Sequence, residues 1–235
     1  MERLPSGIKE LDEKIGGGYP RARTMFVTGT TGSGKTILGI HFIHQGCLDN
    51  KKCVLLATEE SAEDIIVQSE SLGLPLTEYY EKGILKIDRI YEERTKYASE
   101  VFKYGIENFE ELQSNIFGLL DRIPGDTEIV VIDNIGVFTL NMTPNDFRAQ
   151  FDALISGLTK KNVTSMLIMD SVADERTESI SSYSVYGVLR ILIKDNPFTG
   201  VRERLMEFLK IRNTKIPLDP IRFDITSEGI VLLKK

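Results

Sequence analysis

Gly29-Thr30-Thr31-Gly32-Ser33-Gly34-Lys35-Thr36 carries the pattern G-x-x-x-x-G-K-[ST], and its setting decides the fold. Thr24-Met25-Phe26-Val27-Thr28 precedes it as a short apolar strand, and Ile37, Leu38, Ile40, His41 and Ile43 follow at helical spacing with a stop near Gly46. Strand, glycine-rich loop and helix in this order let a main chain wrap around a phosphate chain. Gly29, Gly32 and Gly34 allow the backbone to turn its N–H groups inward, toward the positive end of the helix dipole. Thr30, Thr31, Gly32, Ser33, Gly34, Lys35, Thr36 and Ile37 are therefore the expected contacts of a nucleoside triphosphate. Lys35 brings a flexible point charge to the β- and γ-phosphates, and the Thr36 hydroxyl a ligand for Mg²⁺.

Working outward, 235 residues with 41% hydrophobic and 27% charged content fit one globular α/β domain over 1–235. No apolar run approaches the roughly 18 residues that a bilayer span requires, so no membrane partner is expected. Met1-Glu2-Arg3-Leu4-Pro5 has no apolar leader character, and Cys47 and Cys53 match neither a disulfide framework nor zinc-ligand spacing. A reducing, cytoplasmic setting is expected. The net charge of −6 argues against a surface built for nucleic acid, whose affinity comes from lysine and arginine on phosphates.

Apolar runs at 24–28, 53–57, 84–88, 128–132 and 163–169 read as strands with helical segments between them. Such alternation predicts a mostly parallel central sheet covered by helices. Ser61 with Asp64 forms a capping pattern. Asn108 can cap a helix with the stripe Phe109, Leu112, Ile116, Leu119, Leu120 and Ile123, and Thr143-Pro144 opens another with Phe147, Phe151, Leu154, Ile155 and Leu158 inward. The stretch Arg89 to Glu107 has no clear period and reads as either a mobile lid or a long surface connection, the second being the commoner case. After residue 187, strands at 188–193, 203–212, 221–225 and 230–233 predict a C-terminal antiparallel β meander.

Glu128-Ile129-Val130-Val131-Ile132-Asp133 is a buried strand ending in an acid, the Walker B form, so Asp133 is expected to hold Mg²⁺ through water. Asn134 stands where many such ATPases carry a catalytic Glu. The 53–57 strand ends in Thr58-Glu59-Glu60, and if it neighbours the loop strand, Glu59 or Glu60 can orient and deprotonate an attacking water. Read alone, both are ordinary acids before a helix N-terminus. In the strand Arg204 to Arg212, the even positions Arg204, Met206, Phe208, Lys210 and Arg212 share one face by strand period, so Lys210 and Arg212 point together. They either reach one phosphate or form a charged surface strand end.

Together these residues resemble the KaiC family of RecA-type P-loop ATPases. Pro5-Ser6-Gly7-Ile8-Lys9-Glu10-Leu11-Asp12, Gly16-Gly17-Gly18-Tyr19-Pro20, the phosphate loop, Thr58-Glu59-Glu60-Ser61, Val131-Ile132-Asp133 and Leu209-Lys210-Ile211-Arg212 fall in the family's order. The resemblance implies a RecA-like fold, ATP and Mg²⁺, and Lys35, Glu59, Glu60, Lys210 and Arg212 as the catalytic set. It also implies a homo-oligomeric ring, usually a hexamer, in which Lys210 and Arg212 reach the γ-phosphate of the adjacent subunit. Such a trans cation is worth about 10³- to 10⁵-fold in rate. Clock-type members carry two such domains and a regulatory tail, whereas one is expected here, so the resemblance does not imply a circadian role and names no client protein. Asn213 replaces the usual Gly after K-x-R, and Tyr186-Gly187-Val188 departs from the usual acidic-small step. The hydroxyl run Ser179, Ser181, Ser182, Tyr183 and Ser184 lies near the family's autophosphorylated positions, though such a run is more often a flexible loop than a phosphorylation site.

RecA-type recombinases bind DNA through loops after the Walker B strand and the next strand. Here 134–147 lacks Lys and Arg, and 170–187 sets Asp170, Asp174, Glu175 and Glu178 against Arg176, so nucleic acid binding by that face is not expected. The guanine-reading N-K-x-D pattern is missing, since Asn50-Lys51-Lys52 is followed by Cys53. A small-molecule kinase and a binding-only regulatory switch are the other readings.

Overall fold

The computed structural model describes residues 1–90, 116–139, 142–170 and 175–233. A short ribbon pairs β1 (Arg3–Leu4) with β2 (Tyr19–Pro20). The main sheet has nine strands. Its parallel part comprises β3 (Thr24–Gly29), β4 (Cys53–Ala57), β5 (Leu85–Arg89), β6 (Ile129–Asp133), β7 (Thr164–Asp170) and β8 (Gly187–Asp195). β9 (Arg202–Ile211), β10 (Ile221–Thr226) and β11 (Gly229–Leu232) extend it antiparallel. The order is β11-β10-β9-β8-β3-β7-β6-β4-β5, the expected covered parallel sheet with a C-terminal meander.

The strands form where β-rich apolar runs feed two cores at once, one on each face of the sheet. Along β6, Ile129 and Val131 enter the core that contains Met25, Val27 and Ile168. Val130 and Ile132 enter the other, with Phe26, Leu167 and Phe151. On the first face lie α1 (Lys9–Lys14), α2 (Lys35–Leu48), α3 (Ala62–Ser71) and α4 (Thr77–Glu81). α2 packs so near the sheet that a Cβ on Gly39 would stand 3.0 Å from Val131 Cγ1. On the second face lies α5 (Pro144–Lys160), which buries Phe147, Phe151, Leu154 and Leu158 and sets Phe151 edge-on to Phe26. α6 (Glu175–Ser184) packs beside it. The caps expected at Ser61 and Thr143 are formed: their hydroxyls accept the N–H groups of Asp64 and Asp146, each cap being worth about 1 kcal/mol.

The structure corrects several local expectations. β4 does not neighbour β3, because β7 and β6 stand between them, so Glu59 and Glu60 approach from the Asp133 side. The even positions of β9 do not share one face. Val188 pairs with Lys210 but Leu189 with Phe208, so Leu209 is an extra residue in a β-bulge. Met206, Phe208 and Ile211 consequently enter one core, and Lys210 stands opposite Val188 of the other. The hydroxyl run is helical: Ser179 to Ser184 complete α6, where Ser181 is buried and donates to Thr177 O. The helix start expected at Asn108 lies outside the described residues; within them, Phe117–Arg122 form a 3₁₀ helix with Leu119 and Leu120 buried. The connection from Arg89 to Glu107 also lies outside them after residue 90.

Candidate nucleotide-binding site

β3, β6, β7 and β4 end on one edge of the sheet, and the loop 29–36 turns there into α2. Ser33 N–H donates to Thr30 O, closing the turn. Gly34 sits at φ +106° as the α2 N-cap, where a Cβ would lie 2.9 Å from Ile225 Cδ1, so both conformation and space call for glycine. The first turn of α2 leaves its N–H groups without intrahelical acceptors. Beside them, the Thr30 and Ser33 hydroxyls are buried with no protein partner. Open space above Gly32 completes a cradle lined by donors, which fits a phosphate chain.

A cleft of about 500 Å³ rises from this loop. Of the residues expected from sequence, Thr31, Gly32, Gly34, Lys35, Thr36, Ile37, Glu59, Glu60 and Asp133 line it. Lys35 is 7% exposed; its Nζ donates to Gly29 O (3.1 Å) and Thr30 O (2.8 Å) and pairs with Asp170. Thr36 Oγ1 donates to Asp133 Oδ2 at 2.7 Å, so a hydroxyl and a carboxylate stand together as a metal pair would. Behind them, a pocket of about 30 Å³ between Thr36, Glu59, Glu60 and Asp133 has room for a single water.

The electrostatics follow from crowding acids at a packed strand end. Burial pushes the Asp133 carboxyl up to about 6; the Thr36 hydroxyl and Lys35 pull it down, while Glu60 and Glu59 push the same way as burial. Glu60 is also raised, first by burial and then by Asp64 and Glu59. Lys210 and Arg212 are not part of this cleft. Lys210 Nζ and Arg212 Nη2 both donate to Tyr183 O, at 3.1 and 3.2 Å, near the C-terminal end of α6. Desolvation, then the Arg212 charge, lowers the Lys210 pKa.

Four lining residues escaped the sequence reading: Gln68 on α3, Asp170 at the end of β7, Arg204 on β9 and Ile225 on β10. Asp170 had a legible signal, since it closes an apolar strand as Asp133 does. Arg204, held by Asp224 at 3.1 Å, and Ile225 are brought in only by the antiparallel return of the chain.

A family model described as ATPase: KaiC matches residues 4–235. The chain belongs to the KaiC family of ATPases. It is 33% identical over 159 residues to the circadian clock oscillator protein KaiC of Parathermosynechococcus lividus, covering 68% of this chain and 27% of that protein. It is 27% identical to the circadian clock protein KaiC2 of Synechocystis sp., over 100% of this chain and 39% of that one. The chain therefore spans well under half the length of these two KaiC relatives. UPF0273 protein MK0039 of Methanopyrus kandleri is closer in size: at 28% identity, the match covers 98% of this chain and 91% of that protein. Among solved structures, KaiC-like protein PH0186 of Pyrococcus horikoshii superposes with a TM-score of 0.76 at 23% identity, covering 99% of each chain. That likeness is one of fold, the RecA-like P-loop architecture. ATP binding is thus a property of the family to which the chain belongs.

Proposed function

We propose that residues 1–235 form one ATPase domain that hydrolyses Mg·ATP within a homo-oligomeric ring and converts turnover into a conformational change passed to a client protein. The observation that carries this reading is the convergence of Lys35, Thr36, Asp133, Glu59 and Glu60 on one cleft above a glycine-rich loop. The loop amides and the Thr30 and Ser33 hydroxyls grip the phosphates of ATP, with Thr31, Gly32, Gly34 and Ile37 lining the path. Thr36 and Asp133 would hold Mg²⁺, which when bound neutralises the charge of the β- and γ-phosphate oxygens. Glu60 is the favoured base, because burial raises its proton affinity toward the range a general base needs, while Glu59 is exposed and orients the water from the rim.

Lys210 and Arg212 act across a subunit boundary in this reading. In support, both are tied to one carbonyl outside their own cleft, which holds two carboxylates more than it holds cations. A cation supplied by a neighbour offsets that excess. The ring is expected to be a hexamer by family analogy, in a cytoplasmic setting. Nucleic acid is not an expected partner of the strand-end loops, and no helix among the described residues is long and apolar enough to cross a membrane. Autophosphorylation at the Ser179–Ser184 run gains no support from the site, because the run is helical and Ser181 is buried.

Mixing inactive subunits tests the proposal. Lys35→Ala and Arg212→Ala proteins are each expected to release no phosphate from ATP, and an equimolar mixture to recover a measurable fraction of wild-type phosphate release. A mixture as inactive as its parts refutes action in trans. Unchanged hydrolysis by both Glu59→Gln and Glu60→Gln refutes the assigned base.

A further inference from the structure

We infer that Asp170 is a positioning residue that clasps Lys35, so that an incoming nucleotide must displace a carboxylate before the lysine can reach its phosphates. The inference rests on the nucleotide reading above and adds a determinant of affinity and product release. An ammonium has three N–H donors. Lys35 uses all three within its own chain, on Gly29 O, Thr30 O and the Asp170 carboxylate. No donor is left over for a phosphate.

Asp170 is built into this position. The parallel register sets it directly beside Gly29, the first residue of the loop. Its second oxygen faces Asn134 Nδ2 at 3.4 Å. Asn134 is itself fixed: its Oδ1 accepts the Gly136 N–H at 2.8 Å, and its main-chain N–H and C=O both engage the Thr58 hydroxyl, at 2.7 and 2.9 Å. A residue that completes a hydrogen-bonded frame between β3, β7 and β6 does not swing aside, so it is Lys35, on a flexible stem, that must move. Lys35 is the buried partner of this pair, so parting it from Asp170 leaves its charge uncompensated unless phosphate charge replaces the carboxylate. Asp170 then faces that phosphate across the same cleft as a like charge, and its repulsion favours release of the product.

Calorimetric titration of Mg·ADP into the full chain tests the clasp. Asp170→Asn is expected to tighten binding at least tenfold while lowering the melting temperature of the nucleotide-free protein, a pair of opposite effects that a merely structural residue would not give. Asp170→Ser should tighten binding as well, and provides the reading if the asparagine variant fails to fold. Asp170→Glu, which keeps the charge, should stay within threefold of wild type. Binding by Asp170→Asn and Asp170→Ser no tighter than wild type, or an equal gain from Asp170→Glu, overturns the clasp and leaves the nucleotide site standing. If neither wild type nor any folded variant takes up Mg·ADP, the nucleotide reading itself fails, and the clasp with it.

Discussion

Thr36 and Asp133 lie 97 positions apart in sequence and 2.7 Å apart in space, and the hydroxyl pulls the Asp133 carboxyl down while burial, the larger effect, pushes it up. Asp133 is packed at a strand end among Glu59 and Glu60, and burial lifts it to about 6. A metal cation needs the ionised form. Below about pH 6 the proton must first be expelled, so the Mg²⁺-dependent part of nucleotide affinity should fall by up to about tenfold per pH unit on acidification from 6 to 5 and flatten above 7. Titrating ADP at fixed Mg²⁺ across that range checks the slope. An Asp133→Asn variant should bind more weakly at pH 7.5 and lose most of the pH dependence; a variant that keeps the wild-type slope would assign the titration to another group.

At the scale of elements, α2 is held from both sides. The sheet covers one face, and the β10–β11 hairpin closes over another, where the Ile230 N–H donates to His41 Nε2 at 2.8 Å. His41 is buried, and desolvation lowers its pKa to about 4. The unfolded chain takes up a proton below about pH 6.5 and the folded one only near 4, so this group's contribution is present above 6.5 and is lost as pH falls through that window. Asp133 works in the opposite sense over nearly the same window, because its raised pKa makes the metal-free folded state the better proton acceptor. The His41 effect is therefore read as a difference. Wild type should lose up to about 3 kcal/mol relative to a His41→Gln variant between pH 7 and 4, by urea unfolding.

This scale also separates what the sequence discloses from what it hides. The strands were legible because each is an apolar run serving two cores, and α5 because Thr143 caps a stripe of large side chains. Strand order was not, since β7 reaches its place between β3 and β6 through a crossover that leaves no local signal. The bulge at Leu209 was equally silent: one extra residue alters which way Lys210 points without altering composition. Within the site, the loop, Asp133 and the paired glutamates carried spacing or position as a signal. Gln68, Arg204 and Ile225 carried none, because only tertiary packing gives single residues on three separate elements a common cleft.

For the whole molecule, charge balance in the cleft sets the terms of binding. Glu59, Glu60, Asp133 and Asp170 face only Lys35 and Arg204 among the lining residues. A triphosphate without metal meets a net repulsive wall, so chelating Mg²⁺ should weaken ATP binding at least a hundredfold, measured with a fluorescent analogue. An affinity indifferent to chelator would mean that the acids do not face the phosphates. The walls of this cleft also come from distant parts of the chain: the phosphate loop from its first fifth, Arg204 and Ile225 from its last. A polypeptide still being synthesised displays the loop long before it owns the opposite wall, and the side of α2 that His41 faces stays bare until Ile230 has been added. Ligand therefore cannot stabilise the phosphate loop of a growing chain until residues 204 to 230 have been made and folded back over it.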